Sequence, residues 1–204
     1  MSRSFYFSCM VAFVAGLAFS AEAGNWPSWR GDVAGSGIVR GEKIPLEWGT
    51  KKNVRWRVPL PDRGNSSPIV WGEKVFITQA TDSDNRRTVM CFDKGTGELL
   101  WRTGVTYTRA EKTHKTNPYC SGSPVTDGRV VVANYASAGV AAYDLEGQQL
   151  WHRKLGPQDH IWGNGTSPVL FGDLCIIYHG PGPRSSLYAL DTVSYTHLTL
   201  PTKA

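Results

Sequence analysis

"FDKGTGELLW" (residues 92–101) reads as the end of a buried strand, a glycine-rich turn and the start of a second strand. An apolar residue runs into an aspartate, two glycines flank a threonine, and Leu-Leu-Trp resumes. The phrase returns as "YDLEGQQLW" (residues 143–151), and its first half returns again as "LYALDT" (residues 187–192). A phrase recurring at near-constant spacing marks one supersecondary unit copied along the chain, which decides fold class more firmly than local propensity does.

Each copy belongs to a longer unit. "SSPIVWGEKVFITQA" (residues 66–80), "GSPVTDGRVVVANYA" (residues 122–136) and "TSPVLFGDLCIIYHG" (residues 166–180) all carry Ser-Pro, an apolar run, a glycine and a second apolar run. Trp56, Trp101 and Trp151 are 45 and 50 residues apart, and Asp93, Asp144 and Asp191 are 51 and 47 apart. Periods of about 40 to 50 residues with four short strands each are the signature of propeller blades. In the first full unit "SPIVW", "KVFITQA", "TVMCFD" and "ELLWR" supply those strands, with Gly72, and its counterparts Gly128 and Gly172, turning the chain between the first two. The expected fold is all-β, a partial β-propeller of four-stranded antiparallel blades, three to four of a ring of seven or eight.

The recurring tryptophans are expected to dock between adjacent blades. An indole buries about 150–250 Å² and its N–H can reach a neighbouring carbonyl. Stacking on a bound ring is the alternative for Trp56, Trp101 and Trp151, but periodic recurrence points to packing.

After Thr192 the period fails. "VSYTHLTLPTKA" (residues 193–204) has no glycine turn and no Leu-Trp, although out of context it could pass as a strand ending at Pro201. It resembles the conceptual translation of a sequencing adapter, and is read as a non-native tail, with the native chain cut short inside a blade; a genuine extension is the alternative. The opening has Arg3, an apolar run over residues 5–19 and Ala-Glu-Ala at residues 21–23, the pattern of a cleaved export signal. The run is shorter than the roughly 20 residues a bilayer-spanning helix needs. The expected organisation is therefore a signal peptide at 1–23, propeller sequence at 24–192 and the tail at 193–204, in a protein of the periplasm or extracellular space with no stable membrane span after cleavage.

Three cysteines follow the signal, Cys91, Cys120 and Cys175, without Cys-x-x-Cys or Cys/His spacing. They are expected to be buried or unpaired thiols. The formal charge of +5 is spread over single and paired cations such as Lys51-Lys52 and Arg86-Arg87, so no nucleic-acid stripe is indicated.

The phrases "FDKGTGELLW", "YDLEGQQLW" and "LYALDT" resemble the pyrroloquinoline-quinone (PQQ) repeat. "NWPSWRGDVAGSG" (residues 25–37), with the "PLEWGTKKNVRWRVPLPDRGNSSPIVWG" stretch after it, is similar to secreted PQQ-binding-like β-propeller repeat proteins of the BamB-like type. One repeat serves both quinoprotein dehydrogenases and scaffolds, so the resemblance implies the fold and leaves the activity open.

In a propeller the segments leading into the innermost strands converge on one face. Here they are residues 63–68, 114–124 and 159–168. Asn65, Ser66, His114, Asn117, Tyr119, Asp159, His160, Trp162 and Asn164 are the candidate ligand funnel. Their Ser and Asn groups could equally hold turns by bonding to backbone. A quinoprotein dehydrogenase requires an aromatic sandwich for PQQ, oxygen ligands for Ca²⁺ and a carboxylate base. Glu111 and Asp159 are the only acids beside these segments, they form no ligand cluster, and the adjacent-cysteine pair of many quinoprotein alcohol dehydrogenases is missing. The leading expectation is a propeller that binds a protein or small ligand on one face without catalysis. A PQQ-dependent alcohol or sugar dehydrogenase, or a cofactor-binding relative of one, is the second reading. A carbohydrate-binding propeller, resting on Trp162, Tyr119 and His160, is the third.

Overall fold

The computed structural model describes residues 24–32, 35–39, 44–182, 184–193 and 197–199, the last as backbone. The signal expected at 1–23 and most of the tail lie outside the described residues. Three four-stranded sheets form in sequence order. The first holds β1 (Ile69–Trp71), β2 (Lys74–Thr81), β3 (Arg86–Asp93) and β4 (Leu99–Thr106). The second holds β5 (Val125–Thr126), β6 (Val131–Asn134), β7 (Val140–Tyr143) and β8 (Gln149–Arg153). The third holds β9 (Val169–Phe171), β10 (Leu174–His179), β11 (Ser186–Asp191) and β12 (His197–Thr199). Every neighbouring pair is antiparallel, and the arrangement is a partial β-propeller of three blades.

The middle strands read as apolar runs because neighbouring blades cover both their faces: Val131, Val132 and Ala133 on β6 and Val140, Ala141 and Ala142 on β7 are all 0% exposed. A strand with one wet face would alternate instead. The two-residue turns between first and second strands use Gly72 (φ 56°) and Gly172 (φ 57°), a left-handed conformation that glycine adopts without steric cost.

The strand-ending aspartates have a specific task. In the first two sheets the third and fourth strands slip register at Cys91/Phe92 and at Ala142/Tyr143. The carboxylate that follows then ties the turn: Asp93 Oδ1 accepts from Thr96 N (2.7 Å), Asp144 Oδ1 from Gln148 N (2.8 Å), and Asp191 Oδ1 from Val193 N (2.8 Å). A short side chain that bonds the backbone just ahead of it is an Asx turn, which accounts for Asp at each copy.

The inner strands β1, β5 and β9 stand side by side around the hub. A segment that periodicity did not reveal runs along them. Trp26 and Val70 exchange two backbone hydrogen bonds of 2.8 Å, Thr126 N donates to Pro27 O (2.9 Å), and Gly72 N donates to Asn25 Oδ1 (2.8 Å). The stretch before the first repeat thus lies on the inner edge of β1 and reaches β5. It satisfies backbone groups that a free inner edge would leave to water.

Residues 197–199 take the fourth-strand position of the third sheet. Leu198 pairs in register with Ala189, where the other sheets pair Trp101 with Cys91 and Trp151 with Ala142. An unpaired strand edge accepts any extended backbone, so this pairing follows without the Leu-Trp phrase.

Candidate functional site

Three kinds of bond join one sheet to the next, and they recur. Ser67 N donates to Ser123 Oγ (2.9 Å), and Ser123 N donates to Ser167 Oγ (2.9 Å), so the Ser-Pro serines form a chain around the hub. Eleven residues after each of the first two serines, a buried polar group on the second strand reaches the carbonyl just ahead of the next Ser-Pro serine. Thr78 Oγ1 donates to Gly122 O (2.6 Å) and Asn134 Nδ2 to Thr166 O (3.1 Å). The indoles make the third bond: Trp56 Nε1 donates to Lys94 O (2.8 Å), Trp101 Nε1 to Leu145 O (3.1 Å) and Trp151 Nε1 to Thr192 O (3.0 Å). In every case the acceptor is the residue after the strand-ending aspartate. Gly97 and Gly147 lie beneath the first two rings, where a Cβ would stand 2.6 Å from Trp56 and from Trp101.

The connecting segments extend this pattern across one face. Asn65 Nδ2 donates to Thr116 O (2.7 Å) in the second segment, and Asn117 Nδ2 donates to Trp162 O (2.6 Å) in the third. Asn164 Nδ2 donates to Gln158 Oε1 (2.6 Å) and to Gly180 O, while its Oδ1 accepts from Thr166 N (3.1 Å). Ser66 Oγ accepts from Thr78 N (3.1 Å).

The candidate residues therefore sort into several places. Tyr119, His160 and Asn164 line a narrow cleft together with Arg87, Glu111, Tyr135 and Gln158, with free volume of about 20 Å³. Asp159 lines an adjoining cavity of about 180 Å³, whose wall also includes Arg109, His179 and Arg184. Asn65 faces a third cavity of about 900 Å³ at the hub, walled by Trp29, Trp71 and Phe171 and by the segment that runs along β1. His114 and Trp162 stand on the rim, ring against ring at 4.7 Å, with Trp162 55% exposed and Ile161 beside it 61% exposed.

The cleft is built around Arg87, which periodicity in β3 puts in phase with Val89 and Cys91 and so turns inward. It is 3% exposed, its guanidinium lies 3.8 Å from the centre of the Tyr119 ring, and its Nε has no partner. Tyr119 is itself held by Glu111, donating from its hydroxyl to Glu111 O (2.9 Å) and accepting from Glu111 N (3.1 Å). Burial pushes the Glu111 carboxyl above its usual range, opposed by a hydrogen bond from Ser137 and by the charge of Arg87. His179, 3% exposed, has its pKa lowered by burial, and its Nδ1 lies 2.5 Å from Gln158 Nε2. Arg87 belongs to the Arg86-Arg87 pair, and its strand phase is what points it inward.

Cys91, Cys120 and Cys175 are buried free thiols, each pushed up to about 12 by desolvation. Among the described residues no three His, Cys, Asp or Glu side chains could share a metal ion. Calcium takes six to eight oxygen ligands. Asp159 instead faces Lys112 at 3.9 Å, and at the hub Asp32 is bonded to Ser36 and Asp127 to Arg129. The cleft is also far too narrow for a quinone ring. The described residues present no carboxylate cluster for the calcium ion that accompanies PQQ. No helix among them is long and apolar enough to cross a membrane.

Comparison with known proteins places this architecture. The family described as outer membrane protein assembly factor BamB matches residues 45–191. Among solved structures, a europium-containing methanol dehydrogenase aligns over 87% of this chain and 32% of its own at 14% identity, with a TM-score of 0.58. The quinohemoprotein alcohol dehydrogenase of Comamonas testosteroni aligns over 85% and 26% at 18% identity and 0.55. BamB from Moraxella catarrhalis aligns over 71% and 42% at 20% identity and 0.50. Identities this low carry the fold alone, and the chain spans less than half of each structure. No curated protein matches the chain.

Proposed function

Because the chain belongs to the family of the outer membrane protein assembly factor BamB, we propose that it is an exported propeller module that docks a protein partner on its connecting-segment face, without catalysis of its own. The observation that carries this reading is the rim pair Ile161 and Trp162, 61% and 55% exposed on a segment held from several sides. Asn117 bonds the Trp162 carbonyl, the His114 ring packs on the indole, and Trp162 N donates to His160 Nδ1 (3.3 Å). A large aromatic presented on immobilised backbone loses little entropy on binding, and such anchors dominate interface energies. An aromatic of this kind also suits the face of a sugar ring, but the apolar neighbour Ile161 favours a protein surface.

A photoreactive amino acid placed at Ile161 tests the reading in cells exporting the full protein. A discrete protein adduct, lost with Trp162→Ala and absent when the probe is moved to Leu99 on the outer strand, is expected. Rapid dye reduction by the purified protein with PQQ, Ca²⁺ and an alcohol or sugar would overturn it in favour of a dehydrogenase.

A further inference from the structure

We propose that the cavity beside the third connecting segment, with the narrow cleft that adjoins it, is a binding site for a small oxyanion, a carboxylate or phosphate group. The narrow cleft beside Arg87 and the cavity of about 180 Å³ next to it share Gln158 and Pro181 in their walls, so they adjoin, and together they make up the recess. Four cations line it: Arg87 from β3, Arg109 and Lys112 from the connection after β4, and Arg184 from the loop between β10 and β11. They arrive from segments far apart in sequence, so their meeting is a product of the fold.

Acids offset only two of the four, and Arg87 has its partner, Asp82, outside the recess at 4.0 Å. Asp159 faces Lys112 at 3.9 Å. Glu111 Oε1 accepts from Ser137 N (3.3 Å), and burial already disfavours its charge. Arg109 and Arg184 both line the cavity, and neither guanidinium has an ion-pair or hydrogen-bond partner among the described residues. Behind them Arg87 is almost fully buried, with an Nε–H that no group accepts. A buried donor without an acceptor is unfavourable unless something supplies one. Guanidinium forks match the planar carboxylate and the phosphate oxygens, and the remaining wall includes the Gln158 amide, whose Nε2 also faces His179 Nδ1. A volume of about 180 Å³ admits a phosphate or a short dicarboxylate but not a nucleotide. Neither Ile161 nor Trp162, the rim pair that carries the protein-docking reading, lines the site.

Calorimetric titration of the full chain with inorganic phosphate and, separately, with citrate, at constant ionic strength, tests the proposal. Saturable binding of one equivalent of at least one of them is expected, with Kd at or below about 1 mM. Which of the two binds distinguishes phosphate from carboxylate as the natural group. Arg109→Ala and Arg184→Ala should each weaken binding by about tenfold, the loss of one charge-assisted bond, without unfolding the protein because both side chains are exposed. Lys115→Ala, outside the recess, should leave it unchanged. Absence of saturation with both ions, or binding that survives both arginine variants, would overturn the site while leaving the crosslinking result at Ile161 untouched.

Discussion

The seam between the first and second sheets and the seam between the second and third are closed by the same three bonds, yet beyond Asn65 and Asn117 the residues at the outer ends of those seams differ. At the hub the serine chain repeats at 2.9 Å in both seams, and the second-strand donor is Thr78 in one and Asn134 in the other, two side chains doing the same work. On the connecting-segment face the first seam carries Arg87 stacked on Tyr119, and the second carries Gln158 against His179. Groups that satisfy backbone must recur, because every blade presents the same orphan carbonyls and amides. Groups that recognise something outside the protein have no reason to recur, and it is in the unrepeated chemistry that the cleft and the rim pair are found.

Breaking the repeated part should cost the most. Trp151 is 6% exposed and bonds Thr192 O across the second seam. Trp151→Ala is expected to destabilise by about 3–5 kcal/mol in urea unfolding, since it empties a large site and strands a carbonyl. Gly122 comes next. A Cβ there would stand 2.4 Å from Thr166 O, in the backbone of the neighbouring sheet, so Gly122→Ala should cost about 1–3 kcal/mol by forcing the seam apart. Ser123→Ala removes only the acceptor for Ser67 N, and about 1 kcal/mol is expected. If that variant proved as damaging as Trp151→Ala, the serines and not the indoles would hold the seams.

The unrepeated part should respond chiefly to pH. Burial keeps the folded-state pKa of His179 below its unfolded value, so the unfolded chain takes up a proton first. Stability should therefore decline as pH falls below about 6.5, the ordinary histidine value, and His179→Gln should flatten that acid-side slope. A slope unchanged in the variant would remove His179 from the account.

The repeat made most of the fold legible because Ser-Pro, the strand-ending aspartate and the following tryptophan each answer a backbone need that returns with every blade. The strand positions of "KVFITQA" and "TVMCFD" follow β2 and β3 closely for that reason. Legibility stopped where the partner is used once. Nothing in "NWPSW" announces that Trp26 will pair with Val70 at the hub, since the pairing depends on an inner edge made elsewhere. Among the funnel residues, Asn65 and Asn117 direct their amides into the next connecting segment, and the cleft is organised by Arg87, a strand residue outside that set. The asparagines stand two, six and three residues ahead of their Ser-Pro serines, so position did not mark a common task for them as it did for the serines.

The central claim is that the indole N–H groups of Trp56, Trp101 and Trp151 are locked onto the carbonyls that follow the next aspartates. Hydrogen exchange of the indole N–H signals, followed by NMR, tests it directly. The account predicts strong protection at those three rings and exchange within the dead time at Trp29, Trp48 and Trp162, which are 57%, 65% and 55% exposed. Equal and rapid exchange at all six would contradict it.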